Sequence, residues 1–311
     1  MKKWLHIVGL WVCVFGGMLG FGVQDVFGQK DGEAEKLAEL EKEKEWILAE
    51  GYALFYREVA LWQSNMNAIV RMEPHRHELG GYVTYQDEGQ LHTIYYTEGE
   101  RPEVLLRVVL DSVASPGSLE IDTVRRAASD LEMTYINVRE KVVGRVYMDE
   151  SNFFKRYPET QQTLHILPRT DNYRTQRDRR KGGYNVYLQT SPRHDDRILF
   201  GNDYLLEMDE TLHIFRETAL HDTLIVHEPG ETMNGFALHR RKYQSRQLSI
   251  TPTDICTLLL NREKADWSHY RVICRLPNGH VRKSIWDAEA ETLKITEYVP
   301  KKNWKGPEPS K

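Results

Sequence analysis

The chain has 311 residues, of which 40% are hydrophobic and 28% charged. That balance excludes a disordered or collagen-like chain, and a single long apolar run at the extreme N-terminus excludes a polytopic membrane protein. Lys and Arg number 42 against 46 Asp and Glu, a net charge of −4, so the basic excess of a general nucleic-acid binder is missing.

The N-terminus reads as an export signal. Lys2 and Lys3 precede a mostly apolar stretch from Leu5 to Phe21, and Val26-Phe27-Gly28 offers small residues where a signal peptidase reads. Cleavage is expected after Gly28, with an uncleaved N-terminal anchor as the alternative. Leu10-Trp11-Val12 before Cys13 is too bulky for a lipobox. The mature chain keeps Cys256 and Cys274. In an oxidising compartment they are candidates for one disulfide, contributing about 3 kcal/mol; the other reading is two buried free thiols.

Residues 31–45 are dense in Glu, Lys, Leu and Ala, and residues 46–70 add Tyr52, Leu54, Phe55, Val59 and Trp62. One long helix is expected, bent at Gly51, with its second half docked on the body. Leu37, Leu40, Ile47, Leu54 and Leu61 sit near heptad positions, but Lys44, Gly51 and Glu58 interrupt that seam. Strands follow at 81–87 and 90–97 around Glu88-Gly89, a two-residue hairpin loop, and at 104–110. Pro116-Gly117 breaks the chain. Ser118 is then positioned to cap a helix whose stripe is Ile121, Val124, Ala128, Leu131, Tyr135 and Val138. If that stripe is core, Leu131→Ala costs about 2 to 5 kcal/mol.

Residues 157–183 are polar and read as a loop between two halves. Arg174, Arg177, Arg179, Arg180 and Lys181 lie between Tyr173 and Tyr184. This is a solvated loop, or a contact for an acidic polysaccharide or a membrane surface. Strands are expected at 184–190, 198–208, 211–217, 222–227 and 236–241. Gly201-Asn202-Asp203-Tyr204 interrupts the second of these as a bulge, which either only bends the strand or aims Asn202 and Asp203 into a site. Thr251-Pro252-Thr253-Asp254 opens a helix to about Glu263 with a capping-box pattern. Strands 270–276 and 280–287 flank Pro277-Asn278-Gly279, and 292–299 closes the fold before a Lys- and Pro-rich tail. Residues 87–94 and 209–214 are faintly alike, so a duplicated unit is conceivable.

No dense catalytic motif is present. There is no phosphate-binding Gly-rich loop, no Gly-x-Ser-x-Gly and no Cys-x-x-Cys, and neither His77-Glu78 nor His227-Glu228 is followed by the second His of a zinc protease. His75 and His77 form a candidate metal pair: in an extended segment they share a face about 7 Å apart, and a third ligand must come from elsewhere. His92 lies too far along to supply it. His221 and His227 share strand parity but stand about 20 Å apart. His227, Glu228 and His239, with Glu231, could converge if Pro229-Gly230 makes a tight return, and they are the candidate acid/base or metal cluster. Trp46, Trp62, Trp267, Trp286 and Trp304 belong either to the core or to a sugar-stacking face.

The fold class expected is α+β, with antiparallel β-sheets in meanders and hairpins, packed helices and a long N-terminal helix. The organisation expected is 1–28 signal peptide, 29–72 helical segment, 73–156 first α+β half, 157–183 boundary, 184–300 second half and 301–311 tail. The function expected is a non-catalytic binding or structural module, exported to the periplasm or the exterior. It engages a protein or glycan, with no cofactor, no nucleic acid and no transmembrane domain in the mature chain. The alternative is a metal-assisted or acid/base hydrolase built on residues 227–239.

Overall fold

The computed structural model describes residues 24–110, 119–157, 160–169, 182–191, 197–221, 223–227, 236–242, 250–264, 268–276 and 278–300. Most of the segment expected to be an export signal, the basic run 174–181, Glu228, Glu231, Trp267 and the tail with Trp304 lie outside them. Contacts divide the chain into one unit ending at Glu39 and another from Leu40 onward. The sheets and the site described below all belong to the second. Among the described residues no helix is long and apolar enough to cross a membrane.

The α+β architecture is as expected. Helix α1 spans Gln24–Met72. Strands β1 Leu79–Asp87, β2 Gln90–Thr97, β3 Glu103–Leu110, β4 Leu119–Asp122 and β5 Arg126–Ala127 form the first sheet, before helix α2 Asp130–Tyr147. Strands β6 Gln162–Pro168, β7 Tyr184–Thr190, β9 Tyr204–Met208 and β10 Ile214–Ala219 form the second, in the order β10-β9-β7-β6. β8 Ile198–Gly201 pairs with β11 Leu224–His227. Helix α3 is Pro252–Leu260. β12 Phe236–Lys242, β13 His269–Arg275, β14 Val281–Asp287 and β15 Thr292–Tyr298 make the last sheet. Its β12–β13 pair is parallel, whereas the other strand pairs described are antiparallel.

The hairpin at Glu88-Gly89 forms as the sequence predicts. Both residues have positive φ, 47° and 85°, which suits the twist of a two-residue turn, and Tyr85 stands opposite His92. The second acidic turn differs. Asp209 Oδ1 accepts from the Thr211 and His213 backbone N–H groups, so β10 starts at Ile214 and not at Thr211.

The segment after Ser118 overturns an expectation. Residues 119–122 are strand β4, laid against β3 with Asp122 opposite Arg107. The helix begins at Asp130, capped by Ser129. Ser129 Oγ accepts from the Glu132 N–H at 3.3 Å while the Glu132 carboxylate accepts from the Ser129 N–H at 2.8 Å. The buried face is Glu132, Tyr135, Ile136, Val138 and Val142, and Leu131 is 40% exposed. Of the expected stripe, Tyr135 and Val138 are core, Leu131 and Val124 are exposed, and Ile121 belongs to a strand.

Helix α1 is the common support of this unit. Its Ile47 packs with Ile255, Tyr270 and Trp286 of α3 and the last sheet. Leu54 packs with Leu167, Tyr187 and Leu205 of the second sheet. Ala60, Ala68 and Met72 cover Tyr95, Leu106 and Val108 on one face of the first sheet. The other face of that sheet buries Val83, Tyr85 and Ile94 against α2 and the second sheet. Packing against α3 explains Gly51. A Cβ there would sit 2.6 Å from the Ile255 Cβ, so only glycine lets α3 come this close.

Candidate functional site

Three acidic or basic side chains meet inside the molecule, from segments far apart in sequence. The first is Asp203. Apolar β8 cannot run straight into β9 because the two strands belong to different sheets. The chain turns at Gly201 and Asn202, whose φ values are 90° and 58°. A Cβ on Gly201 would lie 2.2 Å from the Thr223 carbonyl oxygen, so glycine is required. This break points Asp203 inward, where Oδ1 accepts from the Thr190 N–H at 2.7 Å. The Leu220 N–H donates to the Asp203 carbonyl at 2.8 Å, which brings the next residue, His221, alongside.

His221 lies between two carboxylates. Its Nε2 is 3.0 Å from Asp254 Oδ1 and its Nδ1 is 3.1 Å from Asp203 Oδ2. The Nδ1 contact is an ion-pair approach off the N–H axis, while Nε2 makes a hydrogen bond. Asp254 is the third residue of α3 and closes its capping box. Its Oδ2 accepts from the Thr251 N–H at 2.8 Å and from the Thr251 hydroxyl at 3.0 Å. Asp203, His221 and Asp254 are 3%, 4% and 1% exposed.

A second set of buried polar groups lines the seam between α1 and the second sheet. Glu58 lies 3.4 Å from His165. Glu50 accepts from the Tyr187 hydroxyl and from Asn185. Burial raises the Glu50 carboxyl and pushes the Tyr187 phenol well up. Burial also lowers the Arg57 guanidinium to about 10.

The sequence-predicted residues distribute as follows. His227 ends β11, is 7% exposed and packs edge-on against Phe200. His239 stands on β12 opposite Val272, with its side chain outside what is described. His75 and His77 are not on an extended segment. His75 ends a 3-10 turn, and both rings approach Glu78, at 3.2 and 3.9 Å. Among the described residues no group of three or more His, Cys, Asp or Glu is arranged to hold a metal. Of the two readings for the cysteines, the pair of buried thiols holds: Cys256 and Cys274 are not joined by a disulfide. Cys256 faces Leu54 and Tyr187, on the side of α3 turned from the sheet that carries Cys274. Burial pushes its thiol well above the ordinary range.

The interruption at Gly201–Tyr204 and the Thr251–Asp254 cap were legible in the sequence, but 198–208 is two strands of different sheets and not one bulged strand. That His221 joins these two segments was not legible, because nothing local to any of the three segments encodes the pairing. No family model matches the chain, and no curated protein and no solved structure matches it either.

The cluster differs from a nucleophile–base–orienter arrangement. There, one ring nitrogen faces a hydroxyl or thiol and the other a carboxylate. Here carboxylates stand at both nitrogens. They lie on opposite sides of the ring, so the three groups do not converge on a point where a metal could sit.

Proposed function

We propose that this chain is an exported, non-catalytic binding module of the cell envelope, engaging a protein partner through the C-terminal half of α1. The observation that carries the reading is an apolar helical face left in solvent. Trp62, Met66, Ile69 and Val70 are 46%, 61%, 62% and 80% exposed. Their spacing of three and four residues puts them on one stripe of α1. Beside the stripe runs an open groove of about 440 Å³ between Ala68, Ile69 and Met72 of α1 and Leu79 and Tyr95 of the first sheet. A contiguous apolar patch of this kind is the usual mark of a partner surface. Its side chains are mostly aliphatic, which suits a protein more than a glycan, since sugars stack on aromatic faces ringed by polar groups. Export is supported by the N-terminal Lys2-Lys3, the apolar stretch, and Val26 and Gly28 at the two positions a signal peptidase reads. A binding module is favoured over a hydrolase because the His–carboxylate chemistry described lies buried among the chain's own donors.

The test is site-specific photo-crosslinking in the native host, followed by fractionation of the envelope. A crosslinker at Ile69 should give one discrete adduct. The double variant Ile69→Asp, Val70→Asp should abolish that adduct while its melting temperature stays within a few degrees, since both side chains already face water. An equal yield of the same adduct from a crosslinker at Met148, which is 82% exposed on another element, defeats the reading. So does recovery of the chain in the cytoplasm.

A further inference from the structure

We propose that the partner of the α1 stripe is a second copy of this chain, the two helices lying antiparallel about a two-fold axis at Met66. This rests on the binding reading above and names its partner. Charge is the first argument. From Val59 to Val70, α1 carries no Asp, Glu, Lys or Arg, in a chain that is 28% charged. A surface helix ordinarily turns charged residues to water, but here Trp62, Met66, Ile69 and Val70 face it. Arg57 and Glu58 at one end are buried, and the exposed Arg71 and Glu73 lie beyond the other. In the antiparallel pair the two Arg71 stand about 15 Å apart along the axes and the two Glu73 about 20 Å. Both separations exceed the screening length of about 8 Å at physiological salt. A parallel pair would instead set Arg71 beside Arg71 and Glu73 beside Glu73, so the antiparallel arrangement is favoured.

The shape of the stripe fits its own copy. Its bulkiest side chain, Trp62, is at the N-terminal end. The groove of about 440 Å³ opens toward the C-terminal end, beside Ala68, Ile69 and Met72. Trp62 and Val70 each lie four residues from Met66, about 6 Å of helix to either side. The two-fold therefore carries each Trp62 to the mouth of the other copy's groove, level with the small Val70. A knob and a hole on one surface, each used twice, make a closed isologous interface. Area agrees with this. With Trp62, Met66, Ile69 and Val70 46%, 61%, 62% and 80% exposed, each copy offers on the order of 400 Å² of apolar surface. Two copies remove about 800 Å² of it from water, and the flanking Gln63, Asn67 and groove walls take the total past the roughly 1,000 Å² of a stable interface.

The test uses the full chain. Sedimentation equilibrium in the micromolar range should give twice the chain mass. Met66→Asp should weaken the pair by at least about tenfold, because the axis sets each new carboxylate against its own copy. Met66→Lys should do the same, and an equimolar mixture of M66D and M66K should recover the dimer, which a folding defect would not allow. Met66→Cys should join two copies under mild oxidation. Val70→Cys should not, since the two-fold holds it about 12 Å from its counterpart along the axes. A wild-type chain that stays monomeric throughout the micromolar range, or V70C joining as fast as M66C, overturns the proposal. The crosslinker at Ile69 separates it from the reading beneath it. An adduct of twice the chain mass supports both. A discrete adduct to a different protein overturns self-pairing and leaves the binding module standing, and no adduct overturns both.

Discussion

Glu132 offers the most quantitative handle on the fold. Its carboxylate is 1% exposed and closes three interactions at once. Arg126 donates to both of its oxygens at 2.7 Å, the Ser129 N–H donates at 2.8 Å and the Tyr85 hydroxyl at 3.2 Å. Burial alone would raise this carboxyl, but Arg126 and the helix-cap N–H outweigh it and hold the group down at about 2. The depression of roughly two and a half units from an unfolded value near 4.5 is worth about 3 kcal/mol at pH 7. Because the folded value is the lower one, this stabilisation is complete above about pH 5. It declines as acid is added and is about half gone at pH 3. Glu132→Gln keeps the size of the side chain and removes the charge. Urea denaturation should therefore place E132Q about 3 kcal/mol below the wild type at pH 7, and the gap should shrink by about half at pH 3. A gap of the same size at both pH values would show that packing and not charge carries the cost, and would refute the reasoning.

Two further outcomes follow from burial. Ile136→Ala, in the core under the first sheet, should cost about 2 to 5 kcal/mol, while Leu131→Ala on the open side of the same helix should cost less than about 0.5 kcal/mol in the same denaturation series. Cys256 and Cys274 should both resist a thiol reagent in the folded chain, and both should take up an alkylating label after unfolding without a reductant; a mass showing them linked would contradict the packing of α3.

How much of this was legible in the sequence depended on the range of the interaction. The β1–β2 hairpin was readable because Glu88-Gly89 specifies its own turn and thereby fixes Tyr85 opposite His92. The start of α2 was misread for a physical reason. Ile121 and Val124 happen to extend the helical spacing of Tyr135 and Val138, yet residues 119–122 form a ladder with β3, a partner that local periodicity does not contain. A competing local signal was present in Ser129-x-x-Glu132, and the cap forms there. Asp203 and Asp254 were each visible as local features, one in a strand break and one in a helix cap. His221 was weighed only against His227 along a strand. The structure begins β11 at Leu224, after His221, and the ring is claimed by segments on either side in sequence. Burial and charge pairing decide that arrangement, and both are properties of the assembled fold.

The manner in which α1 is held has a consequence for the order of assembly. Its Tyr52 hydroxyl donates to Glu291 at 2.7 Å, and its Glu43 receives Arg282 at 2.9 Å, each across 239 positions of sequence. The helix leaves the ribosome before the last sheet, which carries these partners for it. Until they arrive, Ile47 has no last sheet to cover it. Contacts of such long range make folding slow and leave apolar surface open in the meantime. A chain truncated before β13 should therefore be a magnet for chaperones, even though its first sheet and α2 could already be in place.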